Sequence, residues 1–531
     1  MVKHGGGNIL DWRYAIVLGV VSGTIVALSF AVGAWWLVFA LSLVLAPICS
    51  HRCNLPWAVL AIWVCAFTIQ ALLNLPLVPT IISLRSMVRL SPFAASCLSI
   101  IAWLGLAAMQ SAFFAPAGAI LRLVASRVGR VWFVPACACA WTLSEWLRSL
   151  GVMSSQWGCI AHALLPCVKL LQPAEFVGVY GLCFLLTALS GIFALSLAEA
   201  VEGNWRGWLC NGLLGIACVV GWFCFGGRLI ELWEKQLGDG ASWNALPVAV
   251  IQGNVGWREK QSRDGLEKAF RLHVAMTKAS MRHRPKLVAW AETAIPAPLN
   301  EWGEASLMLR ELAKRSGADM LIGALEREHS LGKIYNACYG VSADGMLVGT
   351  YRKLKLVPFG EFVPLRNRFK LLERIAAHEK DLSHGENAEP LHLRNISAAV
   401  AICFDSLFPW VMRLQVKGGA NVLVIITNDE WFWGSWMAEH HAAVARLRAV
   451  EFRLYLIRAA NSGVSCIVDP IGRVVAELPL RQRRILHGAI GIPNGHRMTA
   501  YARFGDIVIP CASLLLMALL LAALLTRQKG E

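Results

Sequence analysis

From residue 13 to residue 226 the chain is a succession of apolar runs separated by short polar breaks. The runs fall at 13–31, 33–50, 57–76, 96–120, 131–149, 177–198 and 207–226. Their lengths suit the roughly 20 residues that a helix needs to cross a bilayer. An eighth run, 507–526, closes the chain. The first is too long, and too closely followed by others, to read as a cleaved signal peptide. Residues 247–496 have a different pattern: short apolar stretches alternate with helical periodicity. Strands are predicted at 246–254, 286–292, 319–325, 396–403, 421–429 and 454–461. Hairpins are predicted at 334–353 and around 469–473, and helices near 262–284, 303–316 and 436–453. Strands alternating with helices, plus hairpins, imply a layered α/β fold. The expected organisation is therefore helices over 1–226, a connector over 227–246, an α/β domain over 247–496, and a final span and tail over 497–531.

Composition agrees with a membrane protein. The chain is 56% hydrophobic and only 16% charged, against about 25% charged in ordinary soluble domains. The net charge of +16 raises the question of nucleic acid. No nucleic-acid-binding motif is present, and much of the basic excess sits in short loops between apolar runs. With the N-terminus inside, the inner segments carry Lys3, Arg13, Arg52, Arg122, Arg127, Arg130, Arg206, Arg527 and Lys529. The outer loops carry Arg85, Arg89, Arg148 and Lys169. That bias predicts cytoplasmic termini and an α/β domain outside the cytoplasm. Of the sixteen cysteines, only Cys338, Cys403 and Cys466 fall in the polar middle. No CxxC pair or Cys/His zinc spacing occurs, so no metal site and no disulfide framework is expected. Neither GxGxxG nor a P-loop is present, and no cofactor is expected.

Three predicted strands end in reactive side chains: LVAWAE at Glu292, VGTYRK at Lys353 and AVAIC at Cys403. Singly, these read as a helix cap, a solvated lysine and a core thiol. Together they supply a covalent acyl transfer, with a nucleophile, a proton acceptor and a cation for the oxyanion. In the helical part, Glu145 and Arg148 lie at i, i+3 in WTLSEWLR. They are either a functional intramembrane pair or a self-compensating pair near a helix end. Gln156–Gly158 and 172–181 read as polar loops near the outer surface.

The ordered Glu292, Lys353 and Cys403, set in WAETAIP, YRKLKLVPFGEF and ICFDS, resemble the nitrilase (carbon–nitrogen hydrolase) superfamily. KLVPFGEFVP (355–364), ITNDEWF (426–432), RLRAVEFR (446–453), WTLSEWLR, QWG and VGVYG are similar to its membrane-anchored branch, the bacterial apolipoprotein N-acyltransferases. The resemblance spans nearly the whole chain. It implies a nitrilase-like α-β-β-α sandwich joined to eight transmembrane helices in the bacterial inner membrane. It also implies transfer of an acyl chain from a phospholipid, through a thioester on Cys403, to the terminal amine of a diacylglyceryl-cysteine apolipoprotein. Glu292 would be the base and Lys353 the oxyanion stabiliser, with Glu361 a second essential carboxylate. Accessory roles fall to Phe404, Asp405, Asn428, Trp431, Trp257, Glu145 and Arg148. The expected partners are the phospholipid donor, the apolipoprotein acceptor and the bilayer, without nucleic acid, and the enzyme would act as a monomer.

The chain departs from the family pattern at three places. Phe404 and Asp405 follow the nucleophile where Tyr and Glu are usual, Trp433 interrupts EWFWGS, and Trp257 precedes the position where a Trp is usual, which Lys260 lies nearer. Residues 363–369 and 431–436 read as aromatic arms that dip into the bilayer, with core packing the alternative. The basic residues Arg366, Arg368, Lys370 and Arg374 fit either headgroup contact or a solvated helix face. His440 and His441 read as helix residues without a metal partner. The competing function is a tethered nitrilase-type hydrolase that uses water as acceptor; a transporter or scaffold without catalysis fits an intact triad poorly.

Overall fold

Apolar helices dominate the first part of the chain in the computed structural model, which describes residues 11–50, 52–83, 91–240, 242–260, 262–364, 366, 381–432, 434–495 and 498–526. The chain divides into two compact units. One holds Met1–Ile82, Pro92–Leu229 and Asp506–Glu531; the other holds Ser83–Ser91 and Ile230–Gly505. Residues Lys3, Arg85, Arg89, Leu365, Arg368, Lys370, Arg374, Trp433, Arg527 and Lys529 lie outside the described residues, as does most of the arm expected at 363–369.

Among the described residues, six helical segments are long and apolar enough to cross a membrane: Trp12–Val32, Leu55–Asn74, Pro92–Arg127, Ala174–Val201, Trp205–Gly238 and Val508–Leu525. Ala34–Cys49 is apolar but shorter, and Phe133–Leu147 has 15 residues and carries Glu145. Caps mark two of the starts. Asp11 accepts the amides of Arg13 and Tyr14, and Asn54 accepts that of Trp57, satisfying amides that a helix N-terminus leaves open. The run expected at 96–120 is two helices, Pro92–Ala112 and Ala115–Arg127. Pro116 stands in the first turn of the second helix, where its missing N–H costs nothing. Hydrophobicity is continuous across that break, which is why the pattern alone does not reveal it. The helix that starts at Trp205 continues to Gly238, through much of the stretch expected as a connector. Residues 174–181, expected as a polar loop, are the start of Ala174–Val201 and are mostly buried.

Among the described residues, the second unit contains thirteen strands: β1 (Trp243–Gln252), β2 (Leu287–Trp290), β3 (Ile295–Pro298), β4 (Asp319–Glu328), β5 (Lys333–Val341), β6 (Leu347–Arg352), β7 (Leu391–His392), β8 (Ser397–Ile402), β9 (Val422–Thr427), β10 (Leu456–Ala460), β11 (Ser465–Val468), β12 (Val474–Leu478) and β13 (Arg484–Pro493). They form two mixed sheets. One runs β13-β1-β2-β4-β5-β6 with β3 beside β4, and the other runs β12-β11-β10-β9-β8-β7. Strand β13, not expected from the sequence, pairs antiparallel with β1 over its whole length. Its burial is incomplete and its polar positions hide the period.

The central strands of each sheet are covered on both faces, which explains their near-continuous apolar runs. In β1, Ala249 and Ile251 pack with Phe270 of helix Arg263–Ser280 and Leu309 of helix Gly303–Ser316. Val248 and Val250, on the opposite face, are also buried. In β8, Ala399 and Ala401 pack with Met412 and Val416 of helix Pro409–Lys417 and Ala445 of helix Met437–Phe452. Ala398, Val400 and Ile402 fill the other side. Helix, sheet, sheet, helix is thus the layer order of this unit.

Candidate active site

Four strands stop just short of the polar residues they present. Glu292 lies two residues beyond β2, Lys353 directly follows β6, Cys403 directly follows β8, and Asn428 directly follows β9. Backbone crowding helps deliver Glu292. Gly323 on β4 faces the end of β2 so closely that a Cβ there would lie 2.2 Å from the Ala291 carbonyl oxygen and 2.8 Å from Glu292 Cα. Only glycine permits that approach.

Lys353 is the hub. Its Nζ donates to Glu292 Oε1 at 3.1 Å and to Glu361 Oε1 at 2.9 Å. Asn336 on β5 donates from Nδ2 to the same two oxygens, at 2.7 and 3.0 Å. The second oxygen of each carboxylate is also engaged. Glu292 Oε2 accepts the Asn428 amide and Glu361 Oε2 the Val357 amide, both at 2.8 Å. Two carboxylates, one ammonium and one carboxamide therefore lock together, with Lys353 only 1% exposed. Burial works to lower the Lys353 pKa, but the charges of Glu292 and Glu361 outweigh it and hold the pKa well above the ordinary lysine value.

Cys403 is 8% exposed and has φ +50°, in the left-handed region that side-chain-bearing residues rarely occupy. Burial first, and then the Glu292 carboxylate, push its thiol well up, while Lys353 pulls the other way. The resting group is a neutral thiol whose proton must be taken by a base. Asp405, two residues on, ties two loops together. Its carboxylate accepts the amides of Lys355 (2.6 Å), Ile402 (3.2 Å) and Leu354 (3.4 Å) and the Tyr351 hydroxyl (2.8 Å). The segment after Lys353 is thereby fastened to the segment holding Cys403. A side chain one methylene shorter than glutamate reaches all four donors. Phe404 packs edge-on against Phe408.

The other expected residues sort by place. Trp257 donates its amide to both oxygens of Glu430, each at 3.0 Å, and Trp431 is half-buried in the turn Asp429–Phe432. Lys260 is buried; its Nζ donates to the carbonyl of Thr293, the residue after Glu292, at 3.0 Å. Burial lowers its pKa to about 8, against the opposing pull of Glu430 and Glu292. Glu145 and Arg148 belong to the helical unit. Arg148 Nε donates to Glu145 Oε2 at 2.7 Å, and Nη1 donates to the carbonyls of Trp157 (2.8 Å) and Ser155 (3.2 Å). Glu145 Oε1 accepts the Ile160 amide at 3.2 Å. The pair is neutralised and holds the turn over 155–160 in place, with QWG buried rather than exposed.

Asn336 is not legible in the sequence as a site residue, although its signal is there: it is the one amide side chain in the otherwise apolar run of β5. Replacing it leaves two carboxylates, the buried Glu292 and the partly buried Glu361, short of a donor. Asn336→Ala is expected to lower stability by about 1–3 kcal/mol, read as a lower midpoint for this unit in thermal unfolding.

Residues 247–494 match the carbon–nitrogen hydrolase family, and residues 22–192 match the apolipoprotein N-acyltransferase N-terminal domain. The apolipoprotein N-acyltransferase of Rhodopseudomonas palustris is 30% identical, over 73% of this chain and 73% of its own. That of Nitrosomonas europaea is 31% identical over 75% and 77%, and that of Methylococcus capsulatus 32% identical over 69% and 69%. Among solved structures, Saccharomyces cerevisiae Nit3, of the nitrilase superfamily, matches at 19% identity over 54% of this chain and 97% of that one, with a TM-score of 0.36. With a nitrilase-like α/β unit after an N-terminal helical region, the chain belongs to the apolipoprotein N-acyltransferase family.

Proposed function

We infer that this membrane enzyme N-acylates lipoproteins, and we propose that Cys403 carries the acyl chain between its two substrates. The observation that supports this most directly is the buried Glu292–Lys353–Glu361–Asn336 cluster acting on a thiol at a strained strand end.

Glu292 takes the proton from Cys403 Sγ as the sulfur attacks the ester carbonyl of a phospholipid. The Lys353 ammonium, held by its two carboxylates, stabilises the oxyanion. Collapse breaks the ester C–O bond, Glu292 returns the proton to the leaving alkoxide, and lysophospholipid departs. The terminal amine of a diacylglyceryl-cysteine lipoprotein then attacks the thioester. Glu292 accepts the amine proton and returns it to the departing sulfur, completing a ping-pong cycle. Glu361 keeps Lys353 charged and in place.

The test is direct. Phospholipid and a diacylglyceryl lipopeptide are incubated with the enzyme, and the lipopeptide should gain the mass of one acyl chain as lysophospholipid appears. Release of free fatty acid without that gain would reassign the protein to a hydrolase. We further propose eight spans in the bacterial inner membrane, cytoplasmic termini and a catalytic unit outside the cytoplasm. A reporter fused at residue 240 and active only in the cytoplasm would overturn that topology.

Asp405 adds a pH prediction. Burial, only partly offset by Lys353 and the hydrogen-bond donors, pushes its carboxyl up to about 6. The folded protein therefore holds this proton more tightly than the unfolded chain does. Stability from this group is full below the ordinary aspartate value near 4 and is lost as pH rises to about 6. The ionised form, however, is the one that accepts all four donors. Turnover is expected to fall below pH 6, towards about tenfold per unit at the acid limit, while thermal stability from this group rises. In Asp405→Asn the step near 6 should vanish from the rate profile.

A further inference from the structure

Behind the nucleophile, Ser406, His441 and Asp429 form a hydrogen-bonded chain. Ser406 Oγ lies 3.0 Å from His441 Nε2, and His441 Nδ1 lies 2.9 Å from Asp429 Oδ1. This is the order of contacts in a Ser–His–Asp acyl-transfer set. Ser406 is nevertheless 2% exposed, and its hydroxyl donates to the Cys403 carbonyl oxygen at 2.7 Å. A hydroxyl closed to solvent and committed to the backbone is badly placed to attack an ester. Everything around it points instead to the residue it holds.

His441 Nε2 lies 3.3 Å from the same Cys403 carbonyl oxygen. Asp429 is anchored from the far side, because Arg458, wholly buried on β10, donates from Nη2 to Asp429 Oδ2 at 2.7 Å and from Nη1 to the Val464 carbonyl at 2.6 Å. Gly463 closes over that carboxylate, and a Cβ there would lie 2.0 Å from Asp429 Oδ2. Burial favours the neutral form of Asp429, but Arg458 and His441 overcome it and keep the pKa well below the usual carboxylate range. Thr427 donates its hydroxyl to Asp429 Oδ1 at 3.0 Å. One fixed anion thus reaches the nucleophile's carbonyl through His441.

We propose that Asp429, His441 and Ser406 are positioning residues for Cys403, gripping its carbonyl so that it stays in the left-handed conformation that presents the sulfur to Glu292 and Lys353. The proposal rests on Cys403 as the nucleophile. A residue held at positive φ without glycine needs such over-determination, and small errors in nucleophile placement cost rate rather than affinity.

The experiment uses the full chain in detergent with dioleoyl-phosphatidylethanolamine in mixed micelles. It follows single-turnover acylation of Cys403, the half-saturating lipid concentration, and alkylation of Cys403 by iodoacetamide. Ser406→Ala should slow acylation about tenfold, the worth of one hydrogen bond, with half-saturation unchanged. His441→Ala should slow it further, and His441→Gln, which keeps a donor, should recover part of the loss. Alkylation should slow in the same order. Wild-type rates in both Ser406→Ala and His441→Ala would overturn the proposal, as would a loss expressed wholly in half-saturation. Acyl transfer that survives Cys403→Ala but not Ser406→Ala would make Ser406 the nucleophile instead. If wild-type protein forms no acyl-enzyme yet its alkylation depends on His441 and Ser406 in this order, the acyltransferase reading fails and the positioning role stands. Should His441→Ala not fold, Ser406→Ala decides alone.

Discussion

Cys403→Ser is expected to abolish both the thioester and the acylated lipopeptide, a loss of at least about a thousandfold. The two atoms differ in what Glu292 can accomplish. A thiol in this site is held neutral by burial and by the nearby carboxylate, yet it remains acidic enough for a carboxylate to draw off its proton as the carbon–sulfur bond forms. An alcohol is a far weaker acid, and activating it takes a dedicated base such as imidazole. His441 does not fill that role, since both its ring nitrogens are engaged with Asp429, Ser406 and the Cys403 carbonyl. Cys403→Ala should lose activity equally. Unchanged thermal unfolding in the two variants would locate the loss in chemistry, and turnover at the normal rate in Cys403→Ser would remove Cys403 from the mechanism.

Lys353→Met should be damaging twice over. The replacement keeps the length of the stem and removes the ammonium that Glu292 Oε1 and Glu361 Oε1 share. Taking one partner from a buried ionic cluster costs about 3–5 kcal/mol, because the remaining charge is stranded away from water. Here two carboxylates are stranded beside each other, so the destabilisation should deepen as pH rises and ease in acid, where one of them can carry a proton. Loss of oxyanion stabilisation should remove a further factor of about a hundred to a thousand in turnover. Calorimetry of the solubilised protein between about pH 5 and 8, alongside single-turnover acylation, separates the two effects. A Lys353→Met protein as stable as wild type at the alkaline end would show that the ammonium does not hold the cluster together.

Both outcomes depend on residues that the hydrophobic pattern of the chain marks out. Glu292 and Cys403 each end a run of apolar residues, and Lys353 follows the end of a strand. A strand buried on both faces cannot tolerate charge until it leaves the sheet, so reactive groups collect where strands stop. The same logic makes Val422–Thr427 legible as a strand ending near Asn428. Asp405 is legible as a departure from its family's pattern, but not as a clamp. Its four donors come from Tyr351, Leu354, Lys355 and Ile402, on two segments roughly fifty residues apart in sequence.

The hydrophobic pattern by itself determined that this chain has membrane-length helices followed by a layered α/β unit, because burial imposes period and run length locally. It also singled out the proposed nucleophile, base and cation, since each sits at a strand end. What only the tertiary structure decided is which polar residues meet. Asn336 bridges two carboxylates from mid-strand, and His441, a helix residue to which the sequence assigns no role, links Asp429 to the Cys403 backbone. The division of 96–120 into two helices and the pairing of β13 with β1 were likewise settled by packing. Period records how much of a residue is buried; it carries no record of its partner, and the partner decides whether a buried polar group is a burden or a part of the site.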